Sequence, residues 1–334
     1  MEFRFAFRRY SAPFRHPVRT SRGSWAAREG LYVRLESPDG TVGIGEAAPI
    51  PQFGTESPDE AEETCRALGE RIDDQVMTRL PVRLPALRNA FAWAAGGRAD
   101  APRHASLPVT ALLPAGRAAL VDAPPKADTG FRTFKWKVGV EAADDEMAIL
   151  DDLLGALPPA AKLRLDANGA WDRRTAQKWL GFAVDRPIEF VEQPVAPESR
   201  GAEDTLLGLA ADYPVPIALD ESICGEGNVG RWLDLGWTGF FVVKPSLIGD
   251  VRGVLGKLAA ARARVVFSSA LETAVGAQAA LHLAFSWPGD TPALGFGVWP
   301  LFSDPRFDGP VAMPFFRAED IDRINPEDLW NAAS

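Results

Sequence analysis

Residues 131–140 read FRTFKWKVGV, an apolar and aromatic run that carries two lysines, Lys135 and Lys137. The run reads as a buried strand. Side chains alternate along a strand, so the two lysines share one face and Trp136 takes the other. An isolated charge is costly to bury, so two ammonium groups on one face require carboxylates, a metal site or water beside them. Lysine is scarce in this chain, with seven against 29 arginines. Three of the seven, Lys135, Lys137 and Lys244, stand at the ends of apolar runs.

The same texture continues on both sides of this stretch. Apolar runs fall at 107–113, 131–138, 162–166, 188–192, 216–220, 240–244, 264–268 and, more weakly, 292–296. Helical patterns lie between them at 144–157, 173–182, 203–211, 229–235, 250–261 and 273–285. Strands alternating with helices imply parallel pairing through right-handed crossovers. Eight strands in one series suit a closed barrel better than an open doubly wound sheet. No GxGxxG follows the first run, which weakens a dinucleotide-binding reading.

Residues 1 to about 100 have an α+β texture. Residues 3–9 alternate like a strand, and 30–36 and 41–46 flank the hairpin signal Pro38-Asp39-Gly40. Ser57-Pro58-Asp59-Glu60 supplies an N-cap, a proline at the first helical position and a capping-box glutamate, opening a helix through about Ile72. A second helical pattern at 84–95 stops at Gly96-Gly97. Residues 15–26 and 47–56 read as loops. The tail from about 303 is Pro-rich and reads as irregular, packing back onto the N-terminal domain.

Composition narrows the function. The chain has 334 residues, 46% hydrophobic, enough for one barrel and an appended domain. A net charge of −9 provides no basic footprint for nucleic acid or an anionic membrane. Two cysteines, Cys65 and Cys224, cannot make a disulfide framework and fit a reduced compartment. The N-terminus breaks its apolar residues with charges, unlike a signal peptide, and no apolar run is long enough to span a bilayer. The expectation is a cytoplasmic protein. His16, His104 and His282 are scattered, so a His-rich zinc site is not expected.

The ends of the runs carry the chemistry. They are Lys137, Asp166, Glu192, Asp220, Lys244 and Ser268-Ser269, with 29, 26, 28, 24 and 24 residues from each to the next, about one strand–helix unit. In a βα barrel all strand C-termini lie at one rim, so three acids from adjacent strands would converge between a lysine on either side. Any one of these acids alone reads as a helix cap or turn residue. Five charges at matching ends do not. Three converging carboxylates repel one another unless a cation neutralises them, and all-oxygen ligation suits Mg²⁺, with Mn²⁺ as the alternative. A lysine beside a divalent cation and a second ammonium has its charged form disfavoured, which prepares a neutral amine as general base. The pattern fits proton abstraction next to a substrate carboxylate, with the metal stabilising the enediolate. Arg164, two residues before Asp166, also faces the barrel interior and reads as a counter-ion for a nearby acid.

FKWKVG, RLDANGAW, FVEQP, ALDES and VVKPSLIG resemble the strand-end motifs of the enolase superfamily, in its muconate-lactonizing subgroup. GIGEAAP (43–49) resembles the capping-domain motif, so the resemblance covers nearly the whole chain. Within the subgroup, RxGLYVRL (28–35), GEAAPIPQFGTES, LRLDANGAW and VVFSSALETAVG are most similar to the o-succinylbenzoate synthase family. The fold implied is α/β: a TIM-type (β/α)7β barrel over 104–302 with an α+β capping domain built mainly from 1–103. Residues 303–334 would return to the capping domain.

The resemblance implies Lys137 as the base, Lys135 as the neighbour that tunes it and Lys244 as the charge on the opposite face. It implies Asp166, Glu192 and Asp220 as Mg²⁺ ligands, with Asn168, Gln193, Glu221 and Arg164 behind them. Ser268 and Ser269 would offer hydroxyls and amides to a small-molecule carboxylate substrate. The loops at 15–26 and 47–56 would close the site, bringing Arg22 and Phe53 to its anionic and ring portions. The reaction implied is a Mg²⁺-dependent dehydration. Rival activities are racemisation of N-succinylamino acids, dipeptide epimerisation and muconate cycloisomerisation. After the last run the sequence reads LGFGVW (294–299), with no acid until Asp304, which disfavours the epimerase. The run at 264–270 holds no histidine base, and a barrel that binds a metal without turnover has no need of paired lysines.

Overall fold

The computed structural model describes residues 1–20, 23–97 and 100–333, so Arg22 lies outside the described residues. The N-terminal sheet comprises β1 (Glu2–Thr20), β2 (Gly23–Glu36), β3 (Val42–Ala47) and, after helix α1 (Pro58–Leu68), β4 (Arg71–Asp73). Its strand order is β3-β2-β1-β4, and the Pro38-Asp39-Gly40 turn sets the β2–β3 register from Glu36↔Val42 to Leu31↔Ala47. The Ser57–Glu60 capping box forms at the start of α1. Helix α1 ends at Leu68 rather than at Ile72, because Gly69 turns the chain at φ 76° and Ile72 pairs with Phe3 in the sheet. Helices α2 (Asp74–Thr78) and α3 (Pro85–Ala94) follow. α3 lies directly on β3: a Cβ at Gly43 or Gly45 would stand 2.0 Å from Ala94 O or Ala90 O.

Residues 15–20 and 23–26 are not a loop. They extend β1 and β2 into a long ribbon, in which the register slips between Pro13↔Ala27 and Val18↔Trp25. Backbone pairing builds that end, and no apolar face is buried continuously along it, so no alternation marks it in the sequence. Beyond Ala47, which ends β3, residues 48–56 are irregular apart from the 3-10 turn Pro51–Phe53.

The second sheet is parallel. It begins after β5 (Ser106–Pro108) and contains β6 (Ala111–Leu113), then, past α4 (Ala118–Asp128), β7 (Thr133–Lys137). Next come α5 (Ala143–Ala156), β8 (Lys162–Asp166), α6 (Arg173–Ala183), β9 (Ile188–Glu192), α7 (Ala202–Asp212) and β10 (Ile217–Leu219). α8 (Glu226–Asp234), β11 (Phe240–Val243), α9 (Val251–Ala260), β12 (Arg264–Phe267) and α10 (Ala274–Ser286) complete the series. Its order, β12-β11-β10-β9-β8-β7-β6, is the sequence order reversed, as successive right-handed crossovers require. The eighth run does not form a ladder. It closes the curled sheet through two single parallel bridges, Val109↔Leu294 and Ser268↔Gly295, one at each edge.

Two elements depart from the sequence reading. The run 107–113 splits, its first half pairing instead with β13 (Phe315–Arg317) of the tail. Helix α4 contains Pro124 and Pro125, whose missing N–H groups hid it. The tail is also more regular than expected, adding α11 (Ala318–Asp322) and α12 (Pro326–Ala332). Inside the barrel, Phe190, Ala218, Phe240, Val242 and Val266 pack into an apolar floor. The charged residues stand above this floor, at the C-terminal rim. No helix among the described residues is long and apolar enough to cross a membrane.

Candidate active site

The parallel register carries the rim residues into one layer. Lys137 pairs with Asp166, and Asp166 with Glu192, at the ends of β7, β8 and β9. Asp220, Lys244 and Ser268 each follow the last residue of β10, β11 and β12. Trp136 points away and is fully buried beneath the helices, so the alternation of β7 is as read. The ammonium of Lys135 sits between Asp166 Oδ2 and Glu192 Oε1, at 2.9 Å from each. Lys244 forms an ion pair with Asp220, and its ammonium stands 5.5 Å from the centre of the Phe53 ring. Phe53 thus reaches the rim from the N-terminal domain. With Trp25 and Cys224 it packs against Ile50, Leu247 and Ala270, an apolar wall beside the charges.

Burial and charge set the protonation states apart. Burial disfavours the Lys135 ammonium, but Asp166, Glu192 and Asp220 overcome that and raise its pKa. Lys137 is pushed the other way, first by burial and then by the Lys135 charge, against the pull of Asp166. Lys244 is buried as well, and the carboxylates of Asp220 and Glu221 raise its pKa. Two lysines on one strand face therefore differ: Lys135 is held charged, and Lys137 is eased toward the neutral amine. Among the acids, burial and the Asp166 charge push Glu192 up to about 7. Burial and the Asp220 charge push Glu221 up to about 8.

That mutual repulsion tests the fit to a cation. The carboxylates of Asp166, Glu192 and Asp220 are buried on adjacent strand ends, and Asp166 and Asp220 both raise the cost of ionising Glu192. In this arrangement they are turned toward Lys135 and Lys244, and among the described residues no three acids form a ready cage. The donor set, three clustered carboxylate side chains with charge to neutralise, nevertheless suits a hard divalent cation. A side-chain turn toward one another would supply it with oxygen from three strands.

The neighbours lock the acids. Gln193, at φ 37°, accepts from the amides of Asp220 (2.9 Å) and Ser222 (3.1 Å) and donates to Val195 O and Ser222 Oγ. Asn168, at φ 44°, donates its amide N–H to Asp166 Oδ1 (3.2 Å) and its side-chain amide to Glu221 Oε1 (3.3 Å). Both residues hold the left-handed backbone that the turns after β8 and β9 require.

Three expectations need correction. Arg164 does not stand behind the metal-ligand candidates: it lies on the barrel floor, over Phe190, donating to Glu189 Oε2 (2.6 Å), Thr110 Oγ1 (2.9 Å) and Ala293 O (2.8 Å). A register shift between Leu163 and Arg164 turns Glu189 toward it. It is the counter-ion of a nearby acid, as read from the sequence, and that acid is Glu189. Ser268 and Ser269 are buried at the rim, but the Ser268 amide donates to Val243 O of β11 and the Ser269 amide to Gly295 O in closing the barrel. Their hydroxyls donate to Gly295 O (3.2 Å) and Glu272 Oε2 (3.0 Å), so neither serine has a donor to spare.

Other residues at the site were not anticipated. Glu46 of β3 accepts from Thr273 N, Thr273 Oγ1 and Gly276 N, and so caps α10 from the other domain. Glu272 is fully buried, and burial pushes its pKa up to about 7. Asn89 of α3 bonds to the turn after Lys244. Asp220, Cys224, Lys244 and Leu247 line a narrow cleft at the rim. A cavity of about 190 Å³ lies between α9 and α10, but among the described residues Asp100 and Arg252 are its only charged lining groups, so the chemistry belongs to the rim.

Comparison with known proteins agrees with this geometry. Residues 119–317 match the enolase C-terminal domain-like family, and residues 4–94 match the MenC N-terminal domain. An o-succinylbenzoate synthase of Thermosynechococcus vestitus is 44% identical over 88% of this chain and 92% of its own. The crystal structure of o-succinylbenzoate synthase from Thermosynechococcus elongatus BP-1, complexed with Mg in the active site, superposes with a TM-score of 0.84. It is 39% identical and covers 98% of this chain and 99% of its own. A dipeptide epimerase of Enterococcus faecalis, 20% identical with a TM-score of 0.82 over 95% of this chain and 97% of its own, shares the fold.

Proposed function

The chain belongs to the enolase superfamily, with a MenC-type N-terminal domain, and from that membership we propose that it dehydrates 2-succinyl-6-hydroxy-2,4-cyclohexadiene-1-carboxylate to 2-succinylbenzoate. It is an enzyme of the dehydratase type. Lys137 removes the proton next to the ring carboxylate. Burial and the Lys135 charge favour its neutral amine more than in an ordinary lysine, and once protonated it has a proton to return when the ring hydroxyl departs as water. Lys135, held charged between Asp166 and Glu192, keeps that pKa down. Lys244, held charged by Asp220, faces the developing enediolate from the other side. Asp166, Glu192 and Asp220 would hold Mg²⁺, which supplies positive charge to the substrate carboxylate, and Mn²⁺ suits the same oxygen set. The apolar wall of Ile50, Phe53, Leu247 and Ala270 suits the ring. Ser268 and Ser269 offer the succinyl carboxylate no donors in this arrangement, so its charge partner is sought elsewhere, with Arg22 as the proposed group.

We take 1–103 as the capping domain, 104–302 as the barrel and 303–334 as a segment returning to the cap, where Arg8 donates to Trp330 O (2.6 Å). The placement of Lys137 beside Asp166 at the strand ends, with Lys244 beside Asp220 across the carboxylates, carries the functional reading, because it sets one lysine on either side of the cation site. Racemisation of N-succinylamino acids would need Lys244, on the opposite face, to act as a second base. The test is turnover of the cyclohexadiene with Mg²⁺, followed by the ultraviolet change as the ring becomes aromatic. Conversion that disappears in Lys137→Ala supports the reading. Absent conversion, with N-succinylamino acids racemised instead, overturns it.

A further inference from the structure

Asn89 stands on α3, in the N-terminal domain, with its side chain buried against the barrel. Its amide nitrogen donates to two main-chain carbonyls, Pro245 O at 3.1 Å and Ile248 O at 3.0 Å. Both belong to the segment that follows Lys244. There the chain leaves β11 and folds at once into the 3-10 turn Pro245–Leu247, with Lys244 as its N-cap. Inside the turn, Leu247 N donates to Lys244 O (3.0 Å) and Ile248 N to Pro245 O (3.1 Å). Pro245, Leu247 and Ile248 are buried, so the remaining lone pairs of these carbonyls cannot turn to bulk water. One planar amide with two N–H groups can satisfy two carbonyls three residues apart. Aspartate offers only acceptors there, and alanine offers nothing.

The donor is itself held firmly. Gly43 and Gly45 let α3 lie so close on β3 that no Cβ would fit between them, which fixes the helix against the strand. The next residue of β3, Glu46, accepts from Thr273 N (2.9 Å), Thr273 Oγ1 (2.6 Å) and Gly276 N (2.7 Å) at the start of α10. The N-terminal domain therefore grips the barrel at two neighbouring units: the turn after β11 and the helix after β12. Lys244 stands at the first of these. A lysine side chain is long and flexible, so the place of its ammonium, between Asp220 and the Phe53 ring, depends on where its backbone is fixed.

We propose that Asn89 is a positioning residue for Lys244, holding the 245–248 turn so that the ammonium stays on the face opposite Lys137. The capping domain thereby sets catalytic geometry from outside the barrel, besides covering the site. This rests on the role proposed above for Lys244, and it differs from a stability role because the effect passes through one turn. Displacements of about 1 Å at a catalytic group can cost on the order of a hundredfold in rate.

The experiment compares Asn89→Ala and Asn89→Asp with Phe5→Leu, a substitution in the capping-domain core that touches neither the turn nor the rim. Two readouts are taken on the full chain: amide hydrogen exchange across 240–250, and kcat and KM for the cyclohexadiene with Mg²⁺. Both Asn89 variants should speed exchange in 244–248 by tenfold or more, leaving 131–138 unchanged. Their kcat should fall about 10- to 100-fold with KM changed less than threefold. Phe5→Leu, at a similar loss of melting temperature, should do neither. Unchanged exchange in 244–248 overturns the proposal whatever the activity. Faster exchange with a wild-type kcat overturns the positioning role and leaves Asn89 as a domain latch. A wild-type protein that does not turn over the substrate refutes the proposed reaction instead, and the exchange comparison still decides whether Asn89 holds the turn.

Discussion

Removing the Lys135 charge should move the pH dependence of catalysis toward alkali. Lys135 and Lys137 are two residues apart on one strand face, a Cα separation of roughly 6–7 Å. At that distance two unit charges repel by about 0.6 kcal/mol in water and about 2.5 kcal/mol at an effective dielectric near 20. These limits correspond to about 0.5 to 2 units of pKa. Lys135→Met deletes the repulsion and also leaves Asp166 and Glu192 without their ammonium, which adds to the same direction. Lys137 must be neutral to accept a proton, so kcat rises with pH through its pKa. Raising that pKa shifts the rising limb upward by about 0.5–2 units, and rates below it fall by up to about a hundredfold. The assay is a pH series of kcat for wild type and Lys135→Met at saturating Mg²⁺. A rising limb that stays in place, or moves to lower pH, refutes the coupling of the two lysines.

Two further outcomes follow from the acids. Mg²⁺ should raise the melting temperature, since a ligand bound to the native state alone stabilises it by about 2.7 kcal/mol at a hundred times its Kd; Asp166→Asn, Glu192→Gln and Asp220→Asn should each shrink that response, and an undiminished shift in all three removes the ligand assignment. Glu272 has a folded pKa of about 7, above the usual carboxylate value of 4.5. The native state then binds more protons than the unfolded chain between those values, so this group makes stability fall as pH rises from about 4.5 to about 7, by up to about 3 kcal/mol. Thermal melts from pH 5 to 8 should show Glu272→Gln gaining on wild type as pH rises, and parallel curves contradict this.

The strand ends were legible because charged residues interrupt apolar runs at one strand–helix period, and that regularity survives in the register Lys137↔Asp166↔Glu192. What sequence could not convey is where a polar group spends its hydrogen bonds. Ser268 and Ser269 look available at a strand end, but the Ser268 amide is spent on Val243 O of β11 and the Ser269 amide on Gly295 O in barrel closure. Arg164 faces inward as alternation requires, and only the register shift at Glu189 shows which acid it serves. The contacts of Glu46 with Thr273 and of Asn89 with Pro245 join residues 227 and 156 positions apart, on elements that share no local pattern. The ribbon at 15–26 escaped for a different reason. It is held by backbone pairing, and period-2 reasoning detects a strand only where one face is buried.

The central claim is that Lys137 performs the proton transfer, and substrate-proton exchange in D₂O tests it most directly. NMR would follow the proton next to the ring carboxylate and product formation together, with Mg²⁺, for wild type, Lys137→Ala and Lys244→Ala. Each variant would first be shown to keep its fold and its Mg²⁺-dependent rise in melting temperature. The account predicts that Lys137→Ala loses both turnover and exchange. Lys244→Ala should be slower through lost stabilisation of negative charge, on the order of a few kcal/mol, while some exchange persists. Exchange retained by Lys137→Ala and lost by Lys244→Ala would put the base on the opposite face of the site.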